Sequence, residues 1–297
     1  MMESKQPPDD QACDDVRLAA LPGLLSEEAR RLRRIYAIID MGRIHGDLRQ
    51  SIVNKLESFE CEYISLLDEP YQRFQAFGPL LVYTTANDPT LLNVFGACNG
   101  DVVSAWVISS VFADPLALHL KQVIHAVDAD NAQYLLRYYD PVIIPILRRL
   151  ADKEWWRKFF SPFTAWWYPV ATPTQETWRR IAGDKNPMPL RKKMPLPLTD
   201  ELWAALETDP LPYQVLNAVE QEFPARFTSD CYGVRVAQVE RLLDAGKACG
   251  LKTHDDLFSY ARALLEDPAR AGKPDWQAAL RRAAASEAPL SAYFTPT

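Results

Sequence analysis

The sequence predicts two domains, an N-terminal α/β domain with a mostly parallel or mixed sheet and a smaller all-helical C-terminal domain. Three observations support this. Over residues 31–170, short runs rich in β-branched and aromatic residues alternate with helix-period segments, the pattern of strands joined through helices. Three Asp-Pro pairs, at Asp88, Asp114 and Asp140, recur 26 residues apart, the length of one strand, one helix and two loops. Beyond the stretch "NPMPLRKKMPLPL" the periodic segments read as helices.

Residues 1–30 are expected to form a flexible tail and a lead-in helix, because the opening is polar, acidic and proline-containing. In 31–170, "IYAIID" (35–40) reads as a buried strand and is followed by a helix carrying Leu48, Ile52, Leu56 and Phe59. "YISLL" (63–67), "LLVYTT" (80–85), "VVSAWVISSV" (102–111) and "QYLLRYY" (133–139) read as further strands. Each Asp-Pro pair reads as a helix start: the aspartate can accept from a free N–H of the first turn, and proline gives up an N–H that had no partner. After Pro115 the apolar positions Leu116, Leu120, Val123, Ile124 and Val127 keep helical period. Pro145 in the segment after Pro141 predicts a 3₁₀ start or a kink.

Periodicity fails over 171–198, which reads as a proline-rich linker or arm. Residues 199–297 then read as a helical bundle. Its faces are Val236, Val239 and Leu243 before Gly250, then Leu257, Tyr260, Ala261 and Leu264 behind a Thr253–Asp256 capping pair, then Trp276, Ala279, Leu280 and Ala283.

Charge and composition exclude several classes. A net charge of −6 over 297 residues argues against nucleic-acid binding, with only Arg191-Lys192-Lys193 as a basic cluster. Five cysteines without a Cys-x-x-Cys pair suggest neither a disulfide framework nor a zinc site. The first residues lack a signal-peptide pattern, and no apolar run reaches the ~18 residues of a membrane span. A cytoplasmic protein without stable membrane insertion is expected.

Chemistry-bearing motifs are sparse. There is no glycine-rich phosphate loop, no G-x-S-x-G and no H-E-x-x-H. His119 and His125 fall on different faces of a helix, and "DADN" at 128–131 lacks the glycine of a calcium loop. No cofactor, metal or catalytic residue is nominated. In "LLRYYDPVIIPIL" (135–147), Arg137 and Asp140 interrupt an apolar run. The expected reading is architectural, with Asp140 capping the next helix and Arg137 tied to a carboxylate such as Asp40 or Asp114.

"WWRKFFSPFTAWWY" (155–168) holds eight Trp, Phe or Tyr among fourteen residues. Trp156, Phe160, Phe163 and Trp167 make one helical stripe, with Trp155, Phe159 and Trp166 partly off it. One stripe suffices for a core. The second predicts rings facing either the helical domain or a partner-binding groove, so Trp155, Trp156, Phe160, Phe163, Trp166 and Trp167 are the candidate partner-binding residues.

The pieces "YAIIDMG" (36), "FGPLLV" (77), "WVISS" (106), "ALHLKQVIHAV" (117) and "LLRYYDPVIIPIL" (135), in that order, resemble the adaptor chaperones of the bacterial type VI secretion system, a family long catalogued as a domain of unknown function. "AGKACGLKTHDDLFSYARALLED" is similar to the family's second half. The family's motifs fall on Gly78, Pro79, Arg137, Asp140 and Pro141; at Val142, where many members have a second arginine, this chain departs. The resemblance implies a non-enzymatic protein that binds a toxic effector through an N-terminal or apolar segment. It also implies a second partner, the spike protein VgrG, onto which the effector is loaded. Two alternatives remain at this stage: an immunity-type toxin-binding protein, and a hydrolase using Asp140, Ser109 or Ser110, and His119.

Overall fold

A computed structural model describes residues 15–30, 34–44, 46–84, 90–98, 100–183, 188–190 and 192–293. The chain forms two compact units. The first holds the chain up to Val170 together with Thr177–Leu206, and the second holds Ala171–Glu176 together with Glu207–Thr297.

The elements of the first unit follow in chain order as β1 (Val16–Arg17), α1 (Leu21–Ala29), β2 (Arg34–Asp40), α2 (Gly46–Ser58), β3 (Glu62–Ser65), β4 (Pro79–Tyr83), α3 (Thr90–Phe95), β5 (Ala105–Ser109), α4 (Ala113–Gln122), β6 (His125–Val127), β7 (Gln133–Leu135), α5 (Ile143–Leu150), α6 (Lys153–Phe160), β8 (Ala165–Ala171), β9 (Glu176–Ala182), β10 (Leu196–Pro197) and α7 (Asp200–Leu206). A seven-stranded sheet runs β1-β9-β8-β5-β2-β4-β3, and a small sheet runs β10-β6-β7.

The expected mostly parallel or mixed sheet is corrected by the pairing. In the large sheet β1–β9, β2–β4, β2–β5, β3–β4 and β5–β8 all pair antiparallel. Strands β2 and β3, joined through α2, do run the same way, but β4 lies between them. Likewise β4 and β5, joined through α3, run the same way with β2 between them. Each helical crossover therefore skips one strand, a split strand–helix–strand arrangement. Alternation along the chain sets the direction of the strands that a helix joins, and leaves open which strand lies between them.

Continuous apolar strands were a sound sign of a sheet covered on both faces. Along β2, Tyr36 and Ile38 pack with residues of α4, α5 and α6, among them Leu116, Leu120, Ile144, Leu147 and Phe159. Ala37 and Ile39 point the other way, to Leu21 and Leu25 of α1, Ile52 and Leu56 of α2, and Phe95 of α3. The result is a helix–sheet–helix sandwich around an antiparallel sheet.

Local differences from the expectation have local causes. "QYLLRYY" contributes a strand only over Gln133–Leu135, since Arg137–Asp140 turns back on itself through the bond from Asp140 N to Arg137 O (2.9 Å). Helix α5 starts only at Ile143, which puts Pro145 in the first turn, where an N–H has no helical acceptor anyway. Within 171–198, residues 176–182 form strand β9, and Met194 N bonds Gln122 O (2.9 Å) while Leu198 N bonds Val127 O (2.8 Å). Residues 1–14, the Asp88-Pro89 pair and Arg191 lie outside the described residues.

The second unit contains α8 (Leu211–Glu222), α9 (Tyr232–Ala248), α10 (His254–Glu266) and α11 (Pro274–Ala284). Val236, Val239, Leu243, Leu257, Tyr260, Ala261, Leu264, Trp276, Ala279, Leu280 and Ala283 are all buried in its core. Gly250 ends α9 at φ +89°, a conformation that suits glycine. The Thr253 hydroxyl accepts from Asp256 N (3.1 Å) and so caps α10.

Candidate interaction surface

Three sequence pieces far apart in the chain meet at one end of the large sheet. Strand β2 ends at Asp40 opposite Pro79, the first residue of β4. Beyond the strands, Met41 N donates to Gly78 O (3.4 Å). The two glycines belong to this close approach: a Cβ on Gly42 would stand 2.9 Å from Phe77 O, and one on Gly78 would stand 2.5 Å from Leu67 Cδ1.

Arg137 closes the junction. Its Nη2 donates to Asp40 Oδ2 (2.8 Å), while Asp40 Oδ1 accepts from Gly42 N (3.0 Å). Asp140 stands 3.6 Å from the same guanidinium. Its Oδ1 accepts from Val142 N (3.1 Å), and its carbonyl accepts from Ile143 N (3.0 Å) and Ile144 N (3.3 Å). Asp140 and Pro141 thus set the turn that leads into α5, with the backbone carbonyl of Asp140 doing more of the capping than its side chain. Partial burial disfavours the Arg137 cation, and Asp40 and Asp140 more than offset it, so its pKa lies above the ordinary arginine value. Tyr138 and Tyr139, both buried, hold the backbone on either side. Burial first, and then the Asp40 charge, raise the Tyr139 phenol. The architectural reading of Arg137 and Asp140 agrees with these contacts, and Asp40, one of the two carboxylates suggested by the sequence, is the partner.

The ring-rich segment is placed differently from Arg137. Trp155, Phe160, Phe163, Trp166 and Trp167 are all buried, and Trp156 is half-buried. Two stripes arise because the segment is helix up to Phe160 and strand from Ala165. On β8 alternate residues face opposite ways, so Trp166 and Tyr168 join one core layer and Ala165 and Trp167 the other. Phe159 sits amid the rings, 5.1 Å from Trp155, 5.7 Å from Phe163 and 6.1 Å from Trp166. Two indole N–H groups are satisfied within the first unit: Trp155 Nε1 donates to Met194 O (3.0 Å) and Trp167 Nε1 to Glu28 Oε2 (3.2 Å). Of the six candidates, only Trp156 retains area that a partner could touch.

The hydrolase constellation does not assemble. Ser109 is buried, and its hydroxyl donates to Pro162 O. It pairs with Arg34 at the start of β2, whereas Asp140 stands beside Asp40 at the end of that strand. Six residues of strand separate the two ends, about 20 Å. His119 is fully buried, with Nε2 donating to Phe159 O (2.8 Å) and Nδ1 accepting from Leu190 N (3.0 Å). Both nitrogens serve the fold. Among the described residues no group of three or more His, Cys, Asp or Glu could hold a metal.

Burial pulls the His119 pKa down to about 4, against an opposing pull from the Phe159 carbonyl. A depressed histidine pKa means that the unfolded chain takes up its proton first as pH falls. His119 therefore has no effect on stability above its ordinary value of 6.5, erodes it between 6.5 and about 4, and adds no further loss below. The expected loss is about 3 kcal/mol. Urea titrations of the native chain and of His119→Gln across this window check it: the pH-dependence of the variant should be shallower by that amount.

What composition and periodicity missed is a pair of exposed rings beside the motif junction. The 3₁₀ helix Gln72–Phe77 precedes Gly78 and exposes Phe74 (47%) and Phe77 (54%). Their spacing of three puts both rings on one line of a 3₁₀ helix. The Arg73 guanidinium lies 4.7 Å above the Phe74 ring and that of Arg49 lies 4.7 Å above Phe77. Leu48 on α2 is also 47% exposed. The signal was available in "YQRFQAFG", where two phenylalanines stand in polar sequence with no strand or helix period to bury them.

Comparison with known proteins adds a family. Residues 35–158 match the family described as Domain of unknown function (DUF4123). This is the family of type VI secretion effector-associated adaptors that the sequence resembled. No curated protein and no solved structure matches the chain. Among the described residues no helix is long and apolar enough to cross a membrane.

Proposed function

We propose that this chain is a cytoplasmic, non-enzymatic adaptor that binds one type VI secretion effector, keeps it soluble and helps load it onto the VgrG spike. The observation that supports this is the DUF4123 match over 35–158, whose stretch contains every piece of the motif junction: Asp40, Gly42, Gly78, Pro79, Arg137 and Asp140. Those residues build a rigid platform, and the exposed rings of Phe74 and Phe77 stand on it.

Of the ring-rich segment, Trp156 alone enters this reading as a contact; the seat for the client is the Phe74–Phe77 face. Apolar area withdrawn from water there contributes roughly 25 cal/mol per Å².

Co-expression of the chain with its effector tests the proposal. The expected result is a stable complex on size exclusion, an effector that aggregates when produced alone, and toxin activity that survives in the complex. An effector equally soluble without the chain, eluting apart from it, would refute the adaptor role. Loss of toxin activity on mixing would instead point to immunity.

A further inference from the structure

We propose that the Phe74–Phe77 face takes an acidic peptide segment that also carries apolar side chains; the inference rests on the adaptor reading and specifies the chemistry of the client's docking stretch. Its first support is charge. The chain carries an excess of acids, with a net charge of −6. Several arginines elsewhere are matched to carboxylates, as in Arg137–Asp40, Arg180–Glu28, Arg235–Glu220 and Arg262–Glu266.

Arg43, Arg49 and Arg73 form no ion pair with any described residue, although Asp68 and Glu69 stand in the same loop as Arg73. Arg43 Nη1 and Arg49 Nε are buried and find no hydrogen-bond acceptor among the described residues. An unmatched guanidinium cluster attracts carboxylates and sets the sign of the partner.

The second support is preorganisation. Arg49 is held twice, by donation from Nη2 to Ile44 O (2.7 Å) and by its place over the Phe77 ring. Arg73 is held over Phe74. Stacking on a ring occupies the face of the guanidinium and, at exposed Arg73, leaves the N–H edge for a carboxylate. Beside the cations Phe74 and Phe77 expose about half of each side chain, as does Leu48, next to Arg49 in the sequence. The surface therefore offers apolar area and fixed positive charge side by side, which fits glutamate or aspartate interleaved with leucine or phenylalanine.

Fluorescence anisotropy of a labelled peptide of about twelve residues, alternating glutamate with leucine and phenylalanine, tests this on the full chain. It should bind at least about tenfold tighter than its lysine counterpart and lose about tenfold in affinity as salt rises from about 50 to 500 mM. Arg49→Glu with Arg73→Glu should abolish binding, and the milder Arg73→Gln with Phe74→Ala should weaken it at least about tenfold with an unchanged melt. Equal affinity for the lysine peptide, or binding that survives both variants, would overturn the inference. So would sedimentation with phosphatidylserine vesicles in the absence of peptide binding. Peptide failure beside a stable effector complex sinks only this inference; failure of the effector complex sinks the adaptor reading.

Discussion

Replacing Trp166 by alanine is expected to cost about 3–5 kcal/mol and to leave the first unit largely unfolded at physiological temperature. The side chain is 1% exposed and lies 5.1 Å from Phe163, 6.1 Å from Phe159 and 6.4 Å from Tyr138. Its removal opens a large void in the core layer shared by β8, α6 and the turn carrying Tyr138. Those neighbours are held by a sheet on one side and by packed helices on the other, so collapse into the void is limited. Trp156→Ala, at the edge of the same cluster and stacked 4.5 Å from Phe160, should cost much less. Urea denaturation of the two variants checks the ranking. Were the buried rings a binding seat instead, Trp166→Ala would fold normally and lose only its partner.

Arg137→Ala is expected to cost about 3 kcal/mol. Asp40 is 3% exposed and takes its charge compensation from Arg137, with Gly42 N as its other donor. Removing one partner of a buried pair leaves an uncompensated charge, which costs about 3–5 kcal/mol in fully buried cases. The side chain of Arg137 is 46% exposed, so water replaces part of the lost interaction and the lower end of that range applies. Adding Asp40→Asn to Arg137→Ala removes the stranded charge, and the double variant should regain about 1–2 kcal/mol over the single. A thermodynamic cycle over the four proteins measures this coupling. Zero coupling would mean that the junction does not depend on the pair.

Much of the local structure was legible because its causes are local. The Thr253 cap, the Gly250 stop and the apolar faces of α9, α10 and α11 each depend on residues within a few positions of one another. The Arg137–Asp40 pair was legible for a different reason: a charge inside an apolar run needs a partner, and few carboxylates sit at strand ends.

Strand order was illegible, because β4 inserts between β2 and β3 through contacts that leave no periodic mark on either segment. The double aromatic stripe misled because a helical period was carried past Pro162 into a strand, where the period is two. The exposed Phe74 and Phe77 escaped notice because a pattern search rewards residues that bury, and these two do not.

Amide hydrogen exchange of the chain, alone and in complex with its effector, tests the central claim most directly. The claim is that the motif junction and sealed rings are scaffold, while the neighbouring arginine–phenylalanine surface meets the client. The account predicts slowed exchange on binding over residues 72–78 and around Arg49, with residues 159–168 equally protected in both states. New protection over 155–168, with residues 72–78 unchanged, would contradict it.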